Sequence, residues 1–208
     1  MGLTTNLLAD WLPQINNDNA QGEYYLTDLI AIARRSGYNI ASIQPDSTHE
    51  VEGINSRQQL AALERVYQLQ QAEKLMASGT SLADPARFDL RGTLHAGQDN
   101  TIDINCLFEG DVIIGSNVSI GPNCHIINSR IGDAVEIKSN TVIEDAIVGD
   151  RAVLGPFARI RPGTQLGSDT KVGNFVETKK AIVGNGSKIN HLSYVGDAEL
   201  GEKVNVGA

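Results

Sequence analysis

Four side chains near the end of this 208-residue sequence carry most of the chemistry it could perform: Arg161, Lys179, His191 and Tyr194. Arg161 and Lys179 are 18 residues apart. An arginine and a lysine held side by side suit a phosphate, because an anion between them turns their repulsion into attraction. Two cations about 5 Å apart repel by roughly 3 kcal/mol at an effective dielectric of 20, and by under about 1 kcal/mol in water. A pair of solvated surface cations is the other reading, and spacing alone leaves both open. A histidine beside such a pocket is the usual general base for an attacking nucleophile, because its pKa lies near neutrality. A surface histidine with no task is the commoner case, and His49, His95 and His125 have no comparable company.

These residues fall within a hexapeptide repeat. Ile114-Gly-Ser-Asn-Val-Ser, Ile120-Gly-Pro-Asn-Cys-His, Leu154-Gly-Pro-Phe-Ala-Arg, Leu166-Gly-Ser-Asp-Thr-Lys and Val172-Gly-Asn-Phe-Val-Glu each open on an aliphatic residue. Such a period predicts a parallel β-helix, with the first and fifth residues of each six pointing inward. The steps opened by Ile126, Ile143, Thr178 and Val195 have five residues, so a rung is 17 or 18 residues long and successive rungs stack at roughly 4.8 Å. This register puts Arg161 and Lys179 on one edge, a rung apart. It puts His191 outward, between Asn174 a rung below and Ala208 a rung above. Small residues such as Cys124, Thr141, Ala152, Ala158, Thr164, Thr170 and Ser193 occupy the crowded fifth place. Cys106 and Cys124 share that place one rung apart, and a pair of free buried thiols is expected rather than a disulfide.

Residues 1–57 differ in character. Leu7–Leu12 reads as a short helix ending before Pro13. Residues 25–36 read as an amphipathic helix with Leu26, Leu29, Ile30 and Ala33 on one face and Gly37 at its end. Alternation over residues 39–44 suggests a single strand. A piece of this size encloses little core. Residues 58–78 follow as a long helix, capped by Asn55 with Gln58, with Leu60, Leu63, Val66, Tyr67 and Leu75 along one side. The β-helix is expected over 79–208.

Composition narrows the partners. The 17 Lys and Arg against 25 Asp and Glu give a net charge of −8, which speaks against nucleic acid and anionic membranes. No apolar run approaches a membrane span, the first residues lack the pattern of a signal peptide, and Asn6 breaks the myristoylation pattern. A cytoplasmic protein is expected. Phosphate-loop, dinucleotide-binding and nucleophile-elbow motifs do not occur.

Longer motifs resemble the bifunctional bacterial GlmU family. They are Asn19-Ala-Gln-Gly-Glu-Tyr-Tyr-Leu-Thr-Asp28, Glu50-Val-Glu-Gly-Ile-Asn55, Asp84-Pro-Ala-Arg-Phe-Asp-Leu-Arg-Gly92, Gly173-Asn-Phe-Val-Glu-Thr-Lys-Lys180, Gly186-Ser-Lys-Ile-Asn-His-Leu-Ser-Tyr-Val-Gly-Asp197 and Asn205-Val-Gly-Ala208. The resemblance implies a mixed fold: a left-handed, trimeric parallel β-helix behind a linker helix and a partial α/β nucleotidyltransferase domain. It implies acetyl transfer from acetyl-CoA to glucosamine-1-phosphate, then uridylyl transfer from UTP to N-acetylglucosamine-1-phosphate with Mg²⁺, giving UDP-N-acetylglucosamine for peptidoglycan and lipopolysaccharide. On it, His191 matches the general base, and Arg161, Lys179, Tyr194 and Asn205 match the sugar-phosphate contacts. Ala208 matches a backbone contact to acetyl-CoA, and Asn55 a ligand of Mg²⁺ and the uridine nucleotide. The chain then reads as a central fragment, with the uridylyltransferase half inactive and the acetyltransferase incomplete. Another hexapeptide-repeat acyltransferase, or a non-catalytic trimerising solenoid, remain the alternatives.

Overall fold

The computed structural model describes residues 2–207 and divides the chain into two compact units, meeting between Gly53 and Ile54. The first holds helix α1 (Thr5–Trp11), helix α2 (Asp28–Arg35) and two short 3₁₀ turns. Its small core is Trp11, Leu29, Ile32 and Ala33, with Leu3, Leu7, Leu8 and Ile15 packed against it. Two expectations fail here. Residues 39–44 form no strand, because no second strand lies beside them to take their backbone hydrogen bonds. The inward face of α2 is Leu29, Ile32 and Ala33, while Leu26 and Ile30 are exposed, because the helix begins only at Asp28 and Leu26 lies outside its periodicity. Gly37 does close α2, its N–H donating to the Arg34 carbonyl with φ at +80°.

The second unit opens with helix α3 (Arg57–Ala77). Its cap is one residue later than expected. The Ser56 hydroxyl accepts from the Gln59 N–H at 3.2 Å, and the Gln59 side chain accepts from the Asn55 N–H at 2.7 Å. Serine rather than asparagine is thus the cap, and the Gln59 side chain ties down the residue before it instead of closing a reciprocal capping box. The helix buries Gln68, Ala72 and Leu75, while Leu60 and Tyr67 stay exposed. Ala72 and Leu75 join the core of the β-helix beside Phe88 and Leu90. Gln68 ties the two elements, donating to the Leu90 carbonyl at 2.8 Å and accepting from its N–H at 2.7 Å.

From Thr80 onward the chain coils as a parallel β-helix with three faces. Face 1 is an eight-stranded sheet running from Thr80–Leu82 through Lys171–Asn174 and Lys188–His191 to Asn205–Val206. A twelve-stranded sheet supplies the other two faces, which share the strand Cys106–Ile114. Its first part pairs with His125–Ile127 and its last part with Arg130–Ile131. Face 2 continues through Val142–Glu144, Arg159–Ile160 and Glu177–Lys179 to Tyr194–Gly196, and face 3 ends at Glu199–Leu200. Strand partners such as Ser119 and Glu136, or Arg159 and Glu177, lie 17 or 18 residues apart, the offsets expected from the mixed five- and six-residue steps.

The interior is a stack of aliphatic first-place residues. Ile120, Ile126, Ile137, Ile143, Leu154, Ile160 and Ile189 are each at most 2% exposed. Each such side chain contributes about 1.5–3 kcal/mol by leaving water. The fifth place carries Cys124, Thr141, Ala152, Ala158, Thr164 and Thr170, all buried, while Ser193 near the last rung is half-buried. Both cysteines are free thiols. The Cys106 thiol donates to the Gly121 carbonyl and the Cys124 thiol to the Lys138 carbonyl, each at 3.2 Å. The contact with Cys124, and then burial, push the Cys106 thiol above its ordinary range, so it stays protonated and unreactive.

The corners turn on residues with left-handed backbone. Between faces 1 and 2 these are Asn105, Asn123 and Asn140 in the lower rungs, then Phe157, Phe175 and Leu192. Asparagine tolerates this region cheaply and bulky side chains do not. No helix among the described residues is long and apolar enough to cross a membrane.

Candidate active site

His191 ends a face-1 strand, at the corner where the chain turns into face 2. Its strand partner is Asn174, and the next residue, Leu192, donates its N–H to the Asn174 carbonyl at 3.1 Å. The imidazole is exposed. The Ser193 hydroxyl donates to the His191 carbonyl at 2.9 Å, which pins the corner. Close below, Gly173 permits the stacking, since a side chain there would strike the Asn190 carbonyl.

Face 2 begins directly past that corner. Arg161 follows the strand Arg159–Ile160 and donates its N–H to the Thr178 carbonyl at 2.8 Å, which sets Lys179 one rung above it. Lys179 in turn pairs with Gly196. The Tyr194 ring lies along the sheet with its hydroxyl over Gly196, so that any side chain at that glycine would collide with it. Arg161, Lys179 and the Tyr194 hydroxyl therefore follow one another up a single column, with two cations below a hydroxyl.

The repulsion between these cations is relieved within the chain. The Arg161 guanidinium donates to the Glu177 carboxylate at 2.5 Å, with both side chains about a third exposed. Glu177 was not among the residues singled out from the sequence. Its signal was available, because Glu177 stacks on Arg159 and is thus the diagonal neighbour of Arg161. An incoming phosphate would compete with this carboxylate for the guanidinium.

The remaining sequence candidates lie elsewhere. Asn205 is on face 1, in register with Lys188, where its side-chain oxygen accepts from the Asn190 amide at 2.8 Å. It is separated by the His191 corner from Arg161, Lys179 and Tyr194. Ala208 lies outside the described residues. Asn55 is exposed at the foot of α3. Among the described residues no group of three or more His, Cys, Asp or Glu side chains could hold a metal ion, so Asn55 and its neighbours do not by themselves fit Mg²⁺.

Comparison with known proteins places the chain. It is 60% identical over all 208 residues to the bifunctional protein GlmU of Marinobacter nauticus, and 57% identical over 208 residues to that of Cellvibrio japonicus, spanning 46% of each relative. Over 204 residues it is 52% identical to the GlmU protein of Paraburkholderia xenovorans, covering 98% of this chain and 45% of the relative. The chain belongs to the GlmU family. It spans about half the length of these GlmU relatives. A model of the GMPPB C-terminal domain also matches, over residues 90–179, which lie within the β-helix. Among solved structures, UDP-N-acetylglucosamine acyltransferase from Campylobacter jejuni overlays with a TM-score of 0.40 at 17% identity, covering 61% of this chain and 67% of that one. That overlay is too loose to bear on the site.

Proposed function

We propose that the β-helix acts in acetyl transfer from acetyl-CoA to the amine of glucosamine-1-phosphate, as part of a GlmU enzyme. The observation that carries this reading is the column of Arg161, Lys179 and the Tyr194 hydroxyl beside the exposed imidazole of His191, in a chain 60% identical to a bifunctional GlmU protein over its whole length. The two cations take the sugar phosphate, with Glu177 holding Arg161 in place until the anion arrives. His191 accepts a proton from the sugar ammonium or amine, so that the nitrogen lone pair can form the new N–C bond as the thioester C–S bond breaks. Because Asn205 stands on the other side of the corner, a ligand reaching all the proposed contacts is best served by a neighbouring copy, and the resemblance to the GlmU family makes that assembly a homotrimer in this reading. Ala208 contacts acetyl-CoA in this reading.

The whole enzyme would also transfer uridylyl from UTP to N-acetylglucosamine-1-phosphate with Mg²⁺, in the cytoplasm, supplying UDP-N-acetylglucosamine for the cell wall. Asn55 offers that reaction one amide oxygen. The phosphate assignment is tested by calorimetry with glucosamine-1-phosphate. Arg161→Gln and Lys179→Gln should each weaken binding about tenfold, equivalent to about 1.4 kcal/mol. The loss should be larger at low salt. Unchanged affinity in both variants would remove the phosphate site.

A further inference from the structure

The upper rungs carry a second basic surface, whose three lysines are not among the proposed sugar-phosphate contacts and which borders on Asn205, which is one of them. On face 1, Lys171 and Lys188 are direct strand partners one rung apart, and Lys188 is followed one rung higher by Asn205. Beside them is an open cleft of about 560 Å³ lined by Gly186, Lys188, Asn190, Lys203, Val204 and Asn205. Lys203 sits at the neighbouring corner, its stem packed over Gly186. All three lysines are exposed.

Several other charges on the β-helix are compensated between or within rungs. Arg91 pairs with Glu109, Arg151 with Asp169, Arg159 with Glu144, and Lys138 with Glu136. Among the described residues, Lys171, Lys188 and Lys203 have no carboxylate within ion-pair distance. The acidic residues nearest in the register are already engaged. Glu136, two rungs below Lys171 on the same face, holds Lys138. Asp169, beside Lys171 in sequence, holds Arg151. Glu202, beside Lys203, accepts from the Asn185 amide at 3.2 Å. The Asn205 oxygen is occupied by Asn190, which leaves its amide N–H₂ as a further donor at the cleft. Two ammonium groups, Lys188 and Lys203, and an amide donor thus line one cleft, with Lys171 a rung below Lys188 and none of the three lysines in an ion pair among the described residues, an arrangement that an anion with several oxygens completes.

We propose that Lys171, Lys188 and Lys203, with the Asn205 amide, form a second anion subsite that takes a pyrophosphate-type group, two linked phosphates held across adjacent rungs. A single phosphate reaches one rung. Two linked phosphates present charge to Lys188 and to a neighbouring lysine at once, so the subsite should prefer the diphosphate. It lies on the opposite side of the His191 corner from Arg161 and Lys179, and its occupancy is independent of whether His191 acts as a base.

The test is titration calorimetry of this chain, at low ionic strength, with inorganic pyrophosphate, orthophosphate and ADP. Wild type should bind pyrophosphate at least fivefold more tightly than orthophosphate. The Lys171→Gln/Lys188→Gln variant should weaken pyrophosphate binding at least tenfold, while Arg161→Gln/Lys179→Gln leaves it within twofold. Circular dichroism and melting should show both variants folded, as expected for exposed side chains. If ADP binds as tightly as pyrophosphate, the group is carried by a nucleotide; if it binds more weakly, the free anion is preferred, and either result keeps the subsite. The proposal is overturned if wild type shows no preference for pyrophosphate, if the Lys171/Lys188 variant binds it unchanged, or if the loss follows Arg161 and Lys179 instead.

Discussion

At the scale of single residues, side-chain pairs between rungs decide which charges are available for chemistry. Asp169 and Arg151 illustrate the engaged kind. The guanidinium donates twice to the carboxylate at 2.8 Å and holds the Asp169 carboxyl below its usual range. A carboxyl with a depressed folded pKa stabilises the fold above its unfolded value, near pH 4, and that contribution is lost as pH falls through the folded value. Arg151→Gln should therefore melt below wild type at pH 7, and the gap should close as pH falls below about 4. Melting curves at stepped pH check this, and 1 M salt at pH 7 should shrink the same gap because the pair is exposed. The adjacency of Arg161 and Lys179 could be read from an 18-residue spacing. The clamp of Glu177 on Arg161 depends on which diagonal a long side chain reaches, which spacing alone leaves open. The separation of Asn205 was hidden for a related reason, since the match that grouped it with Arg161 carries no face.

At the scale of elements, the corners set the register. Six-residue steps hold because one residue per corner adopts left-handed backbone, and the lower rungs place asparagine there. At Asn140, whose φ is +59°, a change to Val should cost about 1–2 kcal/mol and a change to Gly only a few tenths. Urea unfolding would show this as a lower midpoint at unchanged slope for Asn140→Val. The elements differed in how legible they were. The β-helix announced itself because its period repeats over more than a hundred residues and its inward places are buried in all but the last rungs. The helix cap did not, because Asn55 and Ser56 are both good caps and the choice between them follows from which side-chain oxygen the Gln59 N–H meets, here that of Ser56. The strand expected over residues 39–44 had local alternation and no partner, and alternation cannot supply one.

At the scale of the whole molecule, the solenoid is a frame that carries outward residues at fixed offsets. It places His191 on a corner, the column of Arg161, Lys179 and Tyr194 on one side and a lysine-lined cleft on the other. The central claim is that His191 is the base in acetyl transfer. Its most direct test is a chimera in which residues 1–208 of this chain replace the matching stretch of the Marinobacter nauticus GlmU protein, so that the site is assayed at the relatives' full length. Initial rates of acetyl transfer to glucosamine-1-phosphate would be measured for the chimera and for the same chimera with His191→Ala. The account predicts a fall in kcat of about 10²–10⁴-fold with KM for the sugar phosphate within about threefold. A His191→Ala chimera that acetylates at the rate of its parent would contradict it.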